Sequence, residues 1–88
     1  MPGNADTEQR IDQINLQLDM LINDMSVPKN VRNAVVQAKD KLNVAGEYSV
    51  RVSSAIYSLD SVSNDVNLPF QARTIIWNVL SMLESIKG

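Results

Sequence analysis

The decapeptide NDMSVPKNVR begins at Asn23, and NDVNLPFQAR begins at Asn64, 41 positions later. A chain that spells one stretch twice at a fixed spacing is constrained to fold as two similar units in tandem. The register extends beyond the decapeptides. Sliding the chain by 41 superposes Arg10 on Arg51, Leu18 on Leu59, Asp19 on Asp60, Asn23 on Asn64, Asp24 on Asp65, Pro28 on Pro69, Arg32 on Arg73 and Leu42 on Leu83. Those eight identities fall within 33 positions, where about two would arise by chance for this composition. Apolar stripes of equal period raise any such count, but Asn, Asp, Pro and Arg do not belong to the stripes.

The segments between the repeated turns have helical periodicity. Ile11, Ile14, Leu18, Leu21 and Met25 recur at three- and four-residue steps, which predicts a first helix with one apolar face. Asp6 or Thr7 is the expected cap of its first turn. A second helix is expected from about Pro28 to Asn43, with Val31, Ala34, Val35, Ala38 and Leu42 inward. Gly46 then supplies the left-handed backbone that helix ends favour. The third helix is predicted from about Glu47 to Asp65, with Val52, Ala55, Ile56, Leu59 and Val62 inward; the fourth begins near Pro69 and carries Ala72, Ile76, Val79, Leu83 and Ile86. Short links make sequential helices antiparallel. The expected architecture is therefore an all-α, up-and-down antiparallel four-helix bundle of two similar helical hairpins, about 6–43 and 47–87. It forms a single domain over 6–88 after a mobile N-terminus over 1–5. The scarcity of aromatic residues (one Phe, two Tyr, one Trp) requires an aliphatic core.

The repeated residues Asn23, Asp24, Pro28 and Arg32, with Asn64, Asp65, Pro69 and Arg73, suit a corner built twice. Proline in a first helical turn gives up only an N–H that had no partner. Ser26 and Asn67 are good N-cap types, the aspartates favour the positive N-terminus of the next helix, and the arginines lie within reach of the aspartates or of the last carbonyls of the partner helix. The sharper alternative is a carboxylate site for a hard metal or acid–base work, where two Asp–Arg corners meet at one end of the bundle.

At this point the string can be compared as a whole. VPKNVRNAV, followed by RVSSAIYSLDSVSNDVNLPFQARTIIWNVLSMLE, resembles a family of short archaeal proteins that carries only an "uncharacterised protein family" label. The resemblance spans about residues 8 to 86 and is most specific in VPKNVR, SNDVNLP and RTIIW, leaving MPGNADT outside it. It implies an up-and-down four-helix bundle and supplies no activity, ligand or catalytic residue.

Composition excludes more chemistry than it suggests. There is no histidine, which removes the usual base near neutral pH and the commonest metal ligand, and no cysteine, which removes disulfides and thiolate sites. Three glycines, two of them near the termini, cannot build a phosphate-cradling loop. The expectation is therefore no enzyme, no catalytic or metal residues and no cofactor. A net charge of −2 argues against a general attraction to phosphate backbones. The polar start lacks the apolar core of a signal peptide, and no apolar run is long enough for a membrane span, so a cytoplasmic protein without membrane contact is expected. Ser54, Ser58 and Ser61 read as a neutral solvated face; Leu16, Met20 and Tyr57 also lie opposite the inner stripes.

Function is best sought where the two halves differ. On one helical edge the second helix carries Lys29, Arg32, Val36 and Lys39, and the fourth carries Phe70, Arg73, Trp77 and Leu80 at the equivalent positions. The plain expectation is that Phe70 and Trp77 complete an asymmetric core. The alternative is a contact edge of Phe70, Arg73, Trp77 and Leu80 for a protein partner or a second copy, since Trp and Arg are over-represented at binding hot spots. The basic edge of Lys29, Arg32 and Lys39 offers a further reading, an accessory of a nucleic-acid assembly such as the ribosome or chromatin.

Overall fold

Burying one stripe per helix leaves few ways to arrange four helices, and the computed structural model, which describes residues 4–87, adopts the ring. Its elements are α1 (Asn4–Ile22), α2 (Lys29–Leu42), α3 (Tyr48–Asp60) and α4 (Phe70–Lys87). Each helix packs against its two neighbours in the order α1, α2, α3, α4 and back to α1. Cross-helix hydrogen bonds give the directions. Asn15 meets Asn43 while Asp19 meets Lys39, so α2 runs opposite to α1. Arg10 meets Ser85 while Gln17 meets Asn78, so α4 does too. The described residues contain no strand, and the bundle is a rod of 39 × 20 × 19 Å.

The core is aliphatic. Ile11, Ile14, Leu18 and Leu21 from α1 meet Val31, Val35, Ala38 and Leu42 from α2. Val52, Ala55, Ile56 and Leu59 from α3 and Ala72, Ile76, Val79 and Leu83 from α4 complete it. Ile86 packs against this cluster half-buried.

Several expectations need correction. Asp6 and Thr7 do not cap α1, because the helix already includes Asn4 and Ala5; Asp6 instead pairs with Arg10 one turn on, at 3.4 Å. Residues 4 and 5 already belong to α1, while 1–3 and 88 lie outside the described residues. Met25 leaves the stripe because α1 stops at Ile22, and it stands 81% exposed. Ala34 is only half-buried. α3 ends at Asp60, not Asp65, and Val62 packs half-buried from the turn beyond it. Ser58 is buried, where its Oγ accepts a hydrogen bond from Lys41 Nζ at 3.2 Å; Ser54 is half-buried and Ser61 exposed. Leu16, Met20 and Tyr57 are exposed, as projected.

Gly46 has φ +137°, a backbone that L side chains avoid, and so lets the chain turn from α2 into α3. Its φ lies well beyond the left-handed helical value of about +57°.

Candidate functional site

The two repeated corners make one hydrogen-bond pattern. The Asp24 N–H donates to Leu21 O (3.3 Å) and the Asp65 N–H to Val62 O (3.1 Å). The Val27 N–H donates to Asp24 O and the Leu68 N–H to Asp65 O, at 3.1 and 3.2 Å. The Arg32 N–H reaches Pro28 O and the Arg73 N–H reaches Pro69 O, at 2.9 and 3.1 Å. Each aspartate also folds its side chain forward into a local turn: Asp24 Oδ1 accepts the Ser26 N–H at 2.9 Å, and Asp65 Oδ1 accepts the Asn67 N–H at 2.8 Å. The expected roles are thereby exchanged. Ser26 does not cap α2; its amide is capped by Asp24, and Pro28 occupies the N-cap position with no side-chain bond. Asn67 likewise gives its amide to Asp65.

These bonds set the electrostatics. The Ser26 hydroxyl, 2.6 Å from Asp24 Oδ1, is the main cause holding that carboxyl below its ordinary value. For Asp65 the main cause is Asn30 Nδ2, which reaches across from α2 to Oδ2 at 3.0 Å. That contact also places the two corners side by side at one end of the rod. Arg32 and Arg73 are half-buried, and the Nε atoms of both are buried with no hydrogen-bond partner among the described residues. Arg73 Nη2 donates to the carbonyl of Asp65 (3.2 Å), one of the acceptors anticipated for it, whereas Arg32 Nη1 instead lies 3.7 Å from Met25 Sδ. Asn23 and Asn64 are exposed, and Asn23 N–H closes the end of α1 on Asp19 O. Among the described residues no group of three or more His, Cys, Asp or Glu side chains could hold a metal ion.

The two edges differ more than the corners do. On α2, Lys29 is exposed and Arg32 half-buried, and Lys39 is engaged by Asp19 of α1. The positive charge of that edge is partly spent within the fold. On α4, Phe70 is 82% and Trp77 54% exposed, with Leu80 and Arg73 half-buried beside them. Phe70 and Trp77 therefore do not complete the core. Their flank of α4 has no further helix to cover it, because α4 packs only on α3 and α1. Val66, in the turn before α4, is also exposed.

Sequence reading missed a clasp at the opposite end. Tyr48 Oη donates to Glu8 Oε1 at 2.7 Å, Arg51 Nη1 lies 3.7 Å from the same oxygen, and Arg51 Nε donates to Leu42 O at 2.8 Å. The Arg51 guanidinium lies 5.0 Å from the Tyr48 ring centroid, within cation–π range. Hydrogen bonding to Glu8 is the main cause that raises the Tyr48 phenol above its ordinary value. The Arg10/Arg51 identity was the available signal. Val27 and Leu68, both buried beneath the corners, were missed as well; both are apolar and directly precede a repeated proline.

Comparison with known proteins agrees with the geometry. The profile of the uncharacterised protein family UPF0147 matches residues 2–86, so most of MPGNADT belongs to the match rather than lying outside it. A UPF0147 protein of Methanocaldococcus jannaschii is 43% identical over 90 aligned positions, covering 97% of each chain. One from Pyrococcus abyssi is 45% identical, covering 94% of this chain and 99% of its own. Among solved structures, the unknown-function protein MMP1188 superposes with a TM-score of 0.85 at 39% identity, covering 98% of this chain and 96% of that one. A UPF0147 protein from Thermoplasma acidophilum superposes with a TM-score of 0.83 at 31% identity, covering 90% and 94%.

Proposed function

This chain belongs to the uncharacterised protein family UPF0147, a name that carries no activity, and from its surface we propose a non-catalytic interaction module. Two copies of one hairpin form the scaffold, and the α4 edge of Phe70, Arg73, Trp77 and Leu80 makes the contact with a protein partner or with another copy. The module works in the cytoplasm. No helix among the described residues is long and apolar enough to cross a membrane.

The observation that carries this reading is the exposure of Phe70 and Trp77, half of the aromatic residues in the chain, on one flank of one helix. Large aromatic side chains supply most contact area per residue at binding hot spots, and leaving two in water is costly unless something covers them. The described residues also form no pocket in which a small substrate could be enclosed. The nucleic-acid alternative has less support than the sequence offered it, because Lys39 is held by Asp19 and Arg32 is half-buried. Lys29 alone gives a salt dependence of about one counterion.

The test is Trp77→Ala, carried through two measurements. Far-ultraviolet circular dichroism is expected to keep its helical signature and a cooperative melt. Size-exclusion chromatography of the tagged protein from native lysate, with and without nuclease, is expected to lose a nuclease-resistant complex that the wild type retains. A variant that simply unfolds removes Trp77 as the anchor. A complex lost on nuclease treatment transfers the function to the Lys29, Arg32 and Lys39 edge.

A further inference from the structure

The two hairpins treat one acidic position in opposite ways. The offset of 41 that maps Asp19 onto Asp60 also maps Lys39 onto Leu80. In the first hairpin Lys39 reaches Asp19 and bridges α1 and α2. In the second the cation is replaced by Leu80, and Asp60 is exposed with no ion pair among the described residues. A carboxylate at the last residue of α3 also faces the negative end of its own helix, which favours a cation there. The α3/α4 edge therefore carries an uncompensated acid at the end of α3 and an apolar strip on α4, and half-buried Arg73 stands toward the start of α4, with Nη2 on the Asp65 carbonyl and no hydrogen bond to Nη1 among the described residues.

Along α4 the order is Arg73, then Trp77 about 6 Å further, then the Leu80 level about 4.5 Å beyond that, at about 1.5 Å per residue. By the repeat, which sets Asp60 against Leu80 as Asp19 is set against Lys39, base, aromatic anchor and acid are nearly evenly spaced. Such an edge is complementary to itself when turned end for end.

Resting on the interaction reading above, we propose that the occupant of this edge is a second copy of the chain. Two α4 helices pack antiparallel about a twofold axis beside Trp77. Trp77 covers its counterpart, and Asp60 meets the partner subunit's Arg73, with the reciprocal contact made by symmetry. A closed isologous pair uses one edge from each molecule and leaves no copy of it exposed. The α4 flank runs along a long face of the rod, 39 by 20 Å, whose full extent is on the order of the ~800 Å² per partner that a standard interface buries. The difference between the hairpins then has a purpose. The Lys39 edge is satisfied within the molecule, and the Leu80 edge is satisfied between molecules.

The purified full chain tests this by sedimentation equilibrium over a micromolar to millimolar concentration series, in low and high salt. A monomer–dimer equilibrium is expected, weakened at least tenfold by Asp60→Arg and by Leu80→Lys. The second variant restores in hairpin two the internal pair that Asp19 and Lys39 make, so it removes the need for a partner's cation. Both positions are at least partly exposed, and a helical circular dichroism spectrum for each variant separates lost association from lost fold. Wild type that remains monomeric throughout overturns self-docking. If Trp77→Ala still loses a nuclease-resistant complex from lysate, the broader interaction reading stands and the occupant is another protein. A dimer that tolerates both variants overturns the assignment of this edge.

Discussion

The corners make a stability prediction that separates two neighbouring apolar residues. Leu68 and Val66 lie in the same turn, yet Leu68 is buried under the corner and Val66 points into water. Leu68→Ala removes three buried carbon groups, and at ~0.8 kcal/mol each the transfer loss is about 2.4 kcal/mol. The cavity left behind adds to this, but a site at the end of the rod, beneath a turn, can collapse around it. The expected total is therefore ~2.5–3 kcal/mol, toward the lower part of the range of ~2–5 kcal/mol for Leu→Ala. A domain of this length holds only ~4–13 kcal/mol in all, so the variant stays folded with little reserve. Its Tm is expected to fall by roughly 10–24 °C, at about 4–8 °C per kcal/mol. Val66→Ala is expected within ~0.5 kcal/mol of wild type. Urea unfolding followed by circular dichroism measures both, and an unchanged m-value keeps the comparison on the folded state. A loss under ~1 kcal/mol for Leu68→Ala, or an equal loss for Val66→Ala, would refute the account of how the corner is plugged.

Three further perturbations probe other parts of the structure. Arg51→Ala removes a charged hydrogen bond to the last carbonyl of α2 and the cover over Tyr48, and is expected to cost ~2–3 kcal/mol in chemical denaturation; Arg51→Lys, which cannot reproduce the fork, should recover less than half of it. Gly46→Ala meets no atom within 4 Å of the added Cβ, so its cost is backbone strain alone, and a loss of ~1–2 kcal/mol is expected by the same assay. The carboxyls of Asp24 and Asp65 are depressed in the fold by Ser26 and Asn30, so their contribution is complete above the unfolded value of about 4 and disappears as pH falls through the folded values. Tm should therefore hold steady from neutral pH toward 4 and decline below it, and Asn30→Ala should shallow that acid limb.

How much of this was legible in the sequence depended on whether a residue's job is set locally. Helix periodicity located the four stripes because Ile14, Leu18, Val35, Leu59 and Ile76 occupy the centre of each inner face, where any packing arrangement would bury them. The corner was legible as a corner because proline and aspartate act on their own backbone. Its internal wiring was not: Ser26 reads as the N-cap of α2, yet its amide and hydroxyl both bond to Asp24, a choice that residue type leaves open. Met25 continues the α1 stripe perfectly well on paper, and only the end of the helix at Ile22 puts it outside. The Tyr48–Glu8–Arg51 clasp joins elements 40 residues apart, and no periodic pattern announces such a contact.

The edges expose the deeper limit of projection. Trp77 follows buried Ile76 and so lies about 100° around α4 from it, on the flank that half-buried Leu80 also occupies. A residue at that angle is core if a further helix lies alongside and surface if none does. The answer belongs to the number of neighbours, not to the helix. In a ring of four, each helix has two neighbours, and the flank beyond them is open. The first hairpin fills the equivalent flank with Lys29, an ion pair between Lys39 and Asp19, and the small apolar Val36 between them. The second fills it with Phe70, Trp77 and Leu80, and Asp60, the counterpart of Asp19, is exposed without an ion pair among the described residues. With one scaffold at both edges, folding alone gives no reason for Phe70 and Leu80 in place of two lysines, or for Trp77 in place of Val36. The difference between two positions that the backbone treats alike is therefore the strongest functional statement this chain makes, and it points outward from the bundle.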